Sequence, residues 1–587
     1  MKYAAINIGP IISTFDMVRK PRDIWAASYM FSHLMECIVD EITKTEGIKV
    51  FSPVVKLGEE KLGVGLFPDR VYCKGEWEFQ AKRENILKTF AENLGMKDDA
   101  DFKDYFNIMC ATVDVEADKD RNSETKAISE LNHLLDCIEL NGRATSGKSI
   151  EAIWNFITDE DKRSRLYKYA FMEDKFGKVS YPDTKGLSEK NYGTLAEYAS
   201  IQLSTINLSK WDDARRIAEL IEKNFKTYYE GQEDVFFSKL NYEFPNEIKS
   251  YHKYICVVQA DGDNMGKTFS HKDLADTETS VISAKLVEFG KNASAKIYQY
   301  GGLPIYAGGD DLLFLAPVVG KTMKNVEISE GKTETYSKNI FDLLKDIDEC
   351  FEPVKKDVTE YRTNDGEPLK DDKGNTIIPS MSYGVSITYY KFPLYEALAS
   401  ARHLLFGVAK NVDGKNAIAW RLQKNSGSSF EGAFTKDNLL ASFENIILKS
   451  GVKDTIVAAV SHKIRENQQM LQLWLNEGEE HKQRNLNFFK KYMDYDEKNP
   501  YKKAIIELLN KMYKIYPPLF KDKEKEIEDK VSKVEIKVLQ TDKAQGIFTV
   551  ERKKDALKQA LRDDMFKMVY SMIRTAKFIS GEEVKDE

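Results

Sequence analysis

Leu303-Pro-Ile-Tyr-Ala-Gly-Gly-Asp-Asp-Leu-Leu-Phe-Leu-Ala-Pro317 places two apolar runs on either side of Gly308-Gly309-Asp310-Asp311. An apolar run, a glycine-bearing turn and a second apolar run read as a β-hairpin with a carboxylate pair at its tip. Glycine tolerates positive φ and leaves the backbone bare, so the turn can be tight and a phosphate can come close. Ionised aspartates only accept hydrogen bonds. Adjacent hard oxygens of this kind suit Mg²⁺, which completes its shell with water and substrate phosphates. Taken alone, the stretch reads equally well as a solvated hairpin tip.

A second acidic group lies upstream. Tyr254-Ile-Cys-Val-Val-Gln-Ala260 has the composition and length of a buried strand, and it runs into Asp261-Gly262-Asp263-Asn264-Met265-Gly266. A helical stretch is expected from about Leu274 to Tyr300. If this strand pairs beside the hairpin, Asp261 or Asp263 meets Asp310 and Asp311 at one sheet edge. Carboxylates packed so closely repel one another and raise each other's pKa unless a cation holds them. With no Arg or Lys inside either motif, the arrangement favours a divalent metal site.

A two-metal carboxylate site suits phosphoryl or nucleotidyl transfer, and a basic residue should then reach the triphosphate. Met381 to Lys391 reads as a further strand, followed by a helix with Leu398, Ala401, Leu405 and Val408 on its apolar side. Lys410, near the end of that helix, is the first candidate for the phosphates and Arg402 the second. The competing reading of Lys410 is a plain lysine favoured by the helix dipole.

The elements follow the order strand, helix, hairpin, helix (about Asn339 to Phe351), strand (about Ser382 to Tyr389), helix. This β-α-β-β-α-β order is that of a ferredoxin-like palm. Further motifs are Ile8-Gly9-Pro10 with Arg19-Lys-Pro-Arg-Asp-Ile-Trp-Ala-Ala-Ser-Tyr29, Asp261-Gly262-Asp263, Gly308-Gly309-Asp310-Asp311, and Lys391-Phe-Pro-Leu394 followed by Ala409-Lys410. By these motifs the palm resembles those of class III nucleotide cyclases, diguanylate cyclases and polymerases. The chain as a whole resembles the large polymerase/cyclase subunit of type III CRISPR RNA-guided effector complexes, of the Cmr branch (type III-B).

The resemblance implies an α+β protein with two ferredoxin-like palm domains, a helical connector and a C-terminal α-helical bundle. Residues 1–150 would form a degenerate first palm, 151–250 the mostly helical connector, 251–425 the active palm and 430–587 the bundle. It implies a nucleotidyltransferase with Asp310, Asp311 and Asp261 as catalytic residues. Asp261, Asp263, Asp310 and Asp311 would hold Mg²⁺ or Mn²⁺, while Gly308, Gly309, Asp263 and Lys410 would face ATP. The product would be a cyclic oligoadenylate or, with S-adenosylmethionine as second substrate, a conjugate of it with AMP. The alternative is a catalytically inactive scaffold. Implied partners are other Cmr-type subunits, guide CRISPR RNA and target RNA. Many relatives begin with an HD nuclease domain, but none of the seven histidines here precedes an aspartate and the first palm motif starts within ten residues of Met1. No HD nuclease is therefore expected.

Composition sets the remaining bounds. The 587 residues are 42% hydrophobic, enough for several cores. No apolar run approaches the ~20 residues that span a bilayer, and no secretory cleavage pattern follows Met1. Cys37, Cys73, Cys110, Cys137, Cys256 and Cys350 are scattered without a CxxC pair, so no zinc site and a reducing cytoplasm are expected. A net charge of −7 argues against indiscriminate coating of nucleic acid by the whole molecule.

Along the chain, a strand is expected at Lys2 to Ile8, a helix from about Ser13 to Ile42, strand-like segments at Val54 to Gly65 and Phe106 to Val115, and a helix at Glu130 to Leu140. The first strand ends in Asn7-Ile8-Gly9 where the second palm has Asp261-Gly262-Asp263, so the first palm should be catalytically silent. Arg19, Lys20 and Arg22 read as a solvated basic helix face or a phosphate contact. Helical pieces are expected at Leu195 to Ile201 and Asp212 to Phe225, an exposed loop at Thr363 to Asn375, a linker at Gly427 to Gly432, and helices over Leu439 to Arg574. Gly142-Arg-Ala-Thr-Ser-Gly-Lys-Ser149 fits the P-loop spacing, but a helical pattern precedes it where a P-loop needs a strand. A Gly/Ser connection between helices is expected there.

Overall fold

The computed structural model describes residues 1–55, 62–116, 122–140, 144–173, 179–180, 194–205, 233–243, 248–274, 278–329, 332–360, 363, 367–371, 374–412, 414–450, 466, 479–492, 498–512, 514–515 and 567–581. The chain forms two compact units, one of Met1–Ile248 with His252–Asn411, the other of Lys249–Tyr251 with Val412–Glu587. The expected helix at Asp212 to Phe225 lies outside the described residues, as does most of Leu439 to Arg574.

The first unit holds two antiparallel sheets. Strands β1 (Lys2–Gly9), β2 (Lys49–Ser52), β3 (Arg70–Lys74) and β4 (Asn107–Asp114) run in the order β2-β3-β1-β4. Alternation along β1 sends Ala4, Ile6 and Ile8 into one core, and Tyr3 and Ala5 into another that holds Ala127, Leu131 and Leu135 of the helix Ser123–Leu140. The central strand is thus covered on both faces.

The helix expected from Ser13 to Ile42 is two helices, Ile11–Met17 and Pro21–Thr43. Pro21 lacks an amide proton and forces Lys20 into an extended conformation (φ −125°, ψ 152°), so the chain breaks there and restarts with proline in the first turn. Residues 56–61 of the strand-like segment expected at Val54 to Gly65 lie outside the described residues, and the pairing segments on either side of it are β2 and β3.

The strands of the second sheet that lie in this unit are β5 (Tyr254–Asp263), β6 (Leu303–Gly308), β7 (Asp311–Pro317) and β10 (Ser380–Tyr389), in the order β10-β5-β7-β6. Between β7 and β10 the chain also forms a two-stranded ribbon of β8 (Val319–Ser329) and β9 (Lys332–Asn339), which the sequence reading did not separate. The helices Glu278–Tyr300 and Ile340–Glu360 meet through Phe289 and Phe351, edge to face at 5.1 Å. Gly290 lets the first of them close on the sheet, since a Cβ there would lie 2.8 Å from the Ala307 carbonyl oxygen. Both sheets therefore share one plan, a β-α-β-β-α-β chain folded into the strand order 2-3-1-4.

The Gly63–Asp69 segment of the first palm runs along the edge of β6. Ala307 N–H donates to the Gly65 carbonyl at 2.9 Å and Ser28 Oγ to the Ile305 carbonyl at 2.7 Å. Trp25 is fully buried, stacks on Tyr29 and Phe171, and donates its indole N–H to the Gly63 carbonyl at 2.7 Å. Arg19, expected in a basic helix face, lies over the Tyr395 ring at 4.4 Å.

In the second unit β11 (Ala417–Gln423) pairs with β12 (Ser429–Thr435) as a hairpin. The expected linker at Gly427 to Gly432 is this hairpin's turn and second strand. Gly427 adopts φ +87° in the turn, and Gly432 leaves room for the Trp420 indole, which a Cβ would approach to 2.5 Å. Helices follow at Ala441–Lys449, Glu479–Tyr492 and 567–580. Trp420 donates to Thr575 Oγ1 at 3.2 Å and stacks on Phe443.

The P-loop-like stretch is a connection between helices, as expected. The helix Ser123–Leu140 precedes it, and Ser146 caps the helix Gly147–Thr158 by accepting from Ser149 N–H.

Candidate active site

The site is built where β5 ends and β7 begins. Antiparallel pairing of Ala260 with Leu312 puts Asp261 beside Asp311 at the next position. The two side chains hydrogen-bond each other. Asp310 packs against Gly262, where a Cβ would lie 2.6 Å from Asp310 Oδ2, so only glycine fits between the motifs. Gly309 has φ +68° and open space over its Cα, whereas Gly308 is filled from behind by the Tyr306 hydroxyl.

The charge state follows from this crowding. Burial, then Asp261, pushes the Asp310 carboxyl up to about 7. Burial, then Asp310 and Asp261, holds Asp311 well above the usual carboxylate range. These groups are short of a cation. Among the described residues no three acidic, thiol or imidazole side chains already form a metal cage. Asp261 is shared instead between Asp311 and an ion pair with Lys410. The donor set of hard carboxylate oxygens with excess negative charge fits Mg²⁺ or Mn²⁺.

Asp263 is held by partners of its own. It is fully buried, and Ser380 Oγ and Ser382 Oγ donate to its Oδ2 at 2.7 and 2.8 Å while Lys410 Nζ donates to Oδ1 at 2.8 Å. Burial alone would raise its pKa. The charge of Lys410 and the three hydrogen bonds outweigh that and hold the carboxyl below its usual range. Period two along β5 puts Asp261 and Asp263 on one face, so Lys410 reaches both. Its pKa is lowered by burial but raised further by Asp261 and Asp263, leaving it firmly an ammonium.

The helix Leu394–Arg402 opens into a π turn at His403–Val408 and tightens at Ala409–Asn411, where Lys410 folds back onto the strand end. The structure brings Lys410, and not Arg402, to the carboxylates.

Sequence reasoning missed Asp69 and Arg70. In the first palm Asn7 pairs with Arg70 as Asp261 faces Asp311, and Ile8 N–H bonds to the Asp69 carbonyl at 3.1 Å. Asp69 and Arg70 thus stand at the corner that Asp310 and Asp311 occupy in the second palm. Arg70 bonds Asn132, Asp136 and Glu139 at 3.0 to 3.2 Å, and Glu139 also accepts from Asn7. A guanidinium fills the place of a metal ligand there. The Asp69 main chain bonds the Tyr306 hydroxyl, and the Asp69 carboxylate adds to the negative field at Asp311. The one available signal was positional, the start of the third strand in a repeated palm.

Comparison with known proteins finds several likenesses. Residues 254–419 match the family described as Cas10/Cmr2, second palm domain. The CRISPR system Cmr subunit Cmr2 of Pyrococcus furiosus is 29% identical over 210 residues, a stretch that is 31% of this chain and 20% of that protein. A cryo-EM structure of type III-B Cmr-beta in the apo state aligns with a TM-score of 0.48 at 12% identity, covering 85% of this chain and 77% of that one. A Csm1-Csm4 cassette in complex with cA4 aligns with a TM-score of 0.44 at 10% identity, covering 87% and 69%. No helix among the described residues is long and apolar enough to cross a membrane. Residues 254–419 are thus similar to the second palm domain of the Cas10/Cmr2 family, and the chain spans about a fifth of the length of the curated relative it matches.

Proposed function

We propose that the chain is the catalytic subunit of a type III CRISPR antiviral effector complex of the Cmr branch. It works in the cytoplasm with other Cmr-type subunits, a guide RNA and a target RNA whose pairing switches it on. Its reaction is Mg²⁺-dependent adenylyl transfer from ATP, with release of pyrophosphate and formation of a diffusible adenylate messenger. The observation that carries this reading is the meeting of Asp261 with Asp310 and Asp311 at one sheet edge.

Asp261, Asp310 and Asp311 would hold the cations. When bound, these supply charge neutralisation at the triphosphate and a lowered pKa at the attacking group. Gly309, with open space over its Cα, gives the triphosphate a bare backbone to lie against. The buried strands β5 and β7 beneath the half-buried carboxylates lower the local dielectric and strengthen the charge interactions there. A palm kept only as a scaffold has no reason to concentrate uncompensated carboxylates.

Asp69 bears on the acceptor. The first palm's corner presents a carboxylate close enough to add to the field at Asp311, and Glu139 stands beside Arg70. An acidic wall repels a second triphosphate and attracts a cationic group, which favours S-adenosylmethionine over a second ATP. The attacking group would then be the methionine carboxylate.

The test is incubation of the assembled, RNA-activated complex with labelled ATP and Mg²⁺, with and without S-adenosylmethionine, followed by mass spectrometry. A product that requires S-adenosylmethionine is expected, and Asp69→Asn should raise the KM for that substrate far more than that for ATP. Cyclic oligoadenylate formed from ATP alone would reverse the acceptor assignment, and no product under either condition would favour the scaffold.

A further inference from the structure

An ammonium has three N–H bonds to give. Lys410 spends them on the Asp261 carbonyl at 3.0 Å, the Gly262 carbonyl at 2.9 Å and Asp263 Oδ1 at 2.8 Å, with an ion pair to the Asp261 carboxylate besides. Its side chain is 13% exposed. To reach a triphosphate it would have to abandon Asp263, leaving a fully buried carboxylate without its counter-charge. A lysine reserved for phosphate would sit with free donors facing the cleft.

The other oxygen of Asp263 is closed off by Ser380 and Ser382 from the neighbouring strand. Ser380 lies directly opposite Asp263 in the β10–β5 register and Ser382 opposite Asp261, so both hydroxyls are fixed by strand pairing. Lys410, Asp263, Ser380 and Ser382 form a frame around the end of β5. The frame meets the site at Asp261, held on one side by Lys410 and on the other by Asp311.

We infer that Lys410 is a positioning residue for the cation-binding carboxylates, with Asp263, Ser380 and Ser382 as its buried frame, and not a ligand of the triphosphate. This rests on the metal-dependent reading of the site. It removes Asp263 from the ligand set and gives two unassigned serines a role. Residues that orient metal ligands typically change metal affinity about 10–100-fold when lost.

The experiment is a Mn²⁺ titration of the nucleotide-free full-length protein by electron paramagnetic resonance, alongside ATP kinetics of the assembled complex. Lys410→Met should weaken Mn²⁺ binding at least about tenfold, and Ser380→Ala/Ser382→Ala should weaken it several-fold, while the KM for ATP at saturating Mn²⁺ stays near that of the parent. Unchanged Mn²⁺ affinity with a raised KM for ATP would return Lys410 to the phosphates and overturn the inference. If Lys410→Met does not fold, the double serine variant decides alone: it leaves the ammonium in place, and unaltered Mn²⁺ binding by it overturns the frame. Absence of Mn²⁺ binding in the parent and in Asp311→Asn alike would instead sink the metal-dependent function itself.

Discussion

Asp310 and Asp263 stand a few residues from the same strand end, yet their surroundings push their acidities in opposite directions. A carboxyl whose pKa is raised by folding stabilises the protein at low pH, and that contribution is lost as pH rises through the folded value. Metal-free protein should therefore lose stability up to about pH 7, the value to which Asp310 is raised. The melting advantage of Asp310→Asn over the parent should grow across the same range and shrink when Mg²⁺ is added. Asp263 has the reverse sign: its lowered pKa gives stability that is present at neutral pH and lost only on acidification below the ordinary carboxylate range, about pH 4. Asp263→Asn breaks a buried pair and should cost about 3–5 kcal/mol at pH 7 by denaturant unfolding, with the deficit closing below about pH 4. The sequence made the acidic identities legible because two motifs carry aspartates with no Arg or Lys inside either of them. It did not separate Asp261 from Asp263, since a period of two puts both on one face and only Asp311 beside the first and Ser380 and Ser382 beside the second tell them apart.

Elements meet here by glycine contacts that leave no slack. Gly384 in β10 lies under the helix that leads to Lys410, and a Cβ there would fall 2.2 Å from the Ala401 carbonyl oxygen and 2.5 Å from the Leu405 amide. Both obstacles are backbone, so Gly384→Ala must lift the helix. The expected loss is about 1–3 kcal/mol in denaturant unfolding, with adenylate synthesis falling further than the remaining folded fraction explains. Gly262→Ala acts on the other side, displacing Asp310 and lowering synthesis while leaving the Lys410 contacts intact. Long, strongly patterned elements such as β1, β5 and β10 were readable from their apolar runs. The β8–β9 ribbon was not, because its mixed polar composition carries no clean alternation, and the hairpin around Gly427 was mistaken for a linker because a Ser-rich turn and a linker share the same composition.

Across the first unit, the two palms are joined along one seam, and Trp25 is its most buried large side chain, bonded to Gly63 and stacked on Tyr29 and Phe171. Trp25→Ala should cost about 3–5 kcal/mol. Hydrogen exchange should show faster opening of β6 as well as of the Gly63–Asp69 segment, because each covers the other's edge. The repetition of the palm was expected from the family resemblance and not from element order, since β3 went unread. The pairing of its two corners was not, since Phe67-Pro68-Asp69-Arg70 shares no motif with Gly308-Gly309-Asp310-Asp311 and only the strand register equates them. The span from Asp263 to its lysine is 147 residues. A growing chain on the ribosome exposes the acid long before the base exists, so the second palm cannot settle its catalytic edge until translation has passed residue 410. A message truncated between Tyr389 and Lys410 would yield a product with β5, β6, β7 and β10 written but its strand end electrically unfinished, a natural target for quality-control proteases.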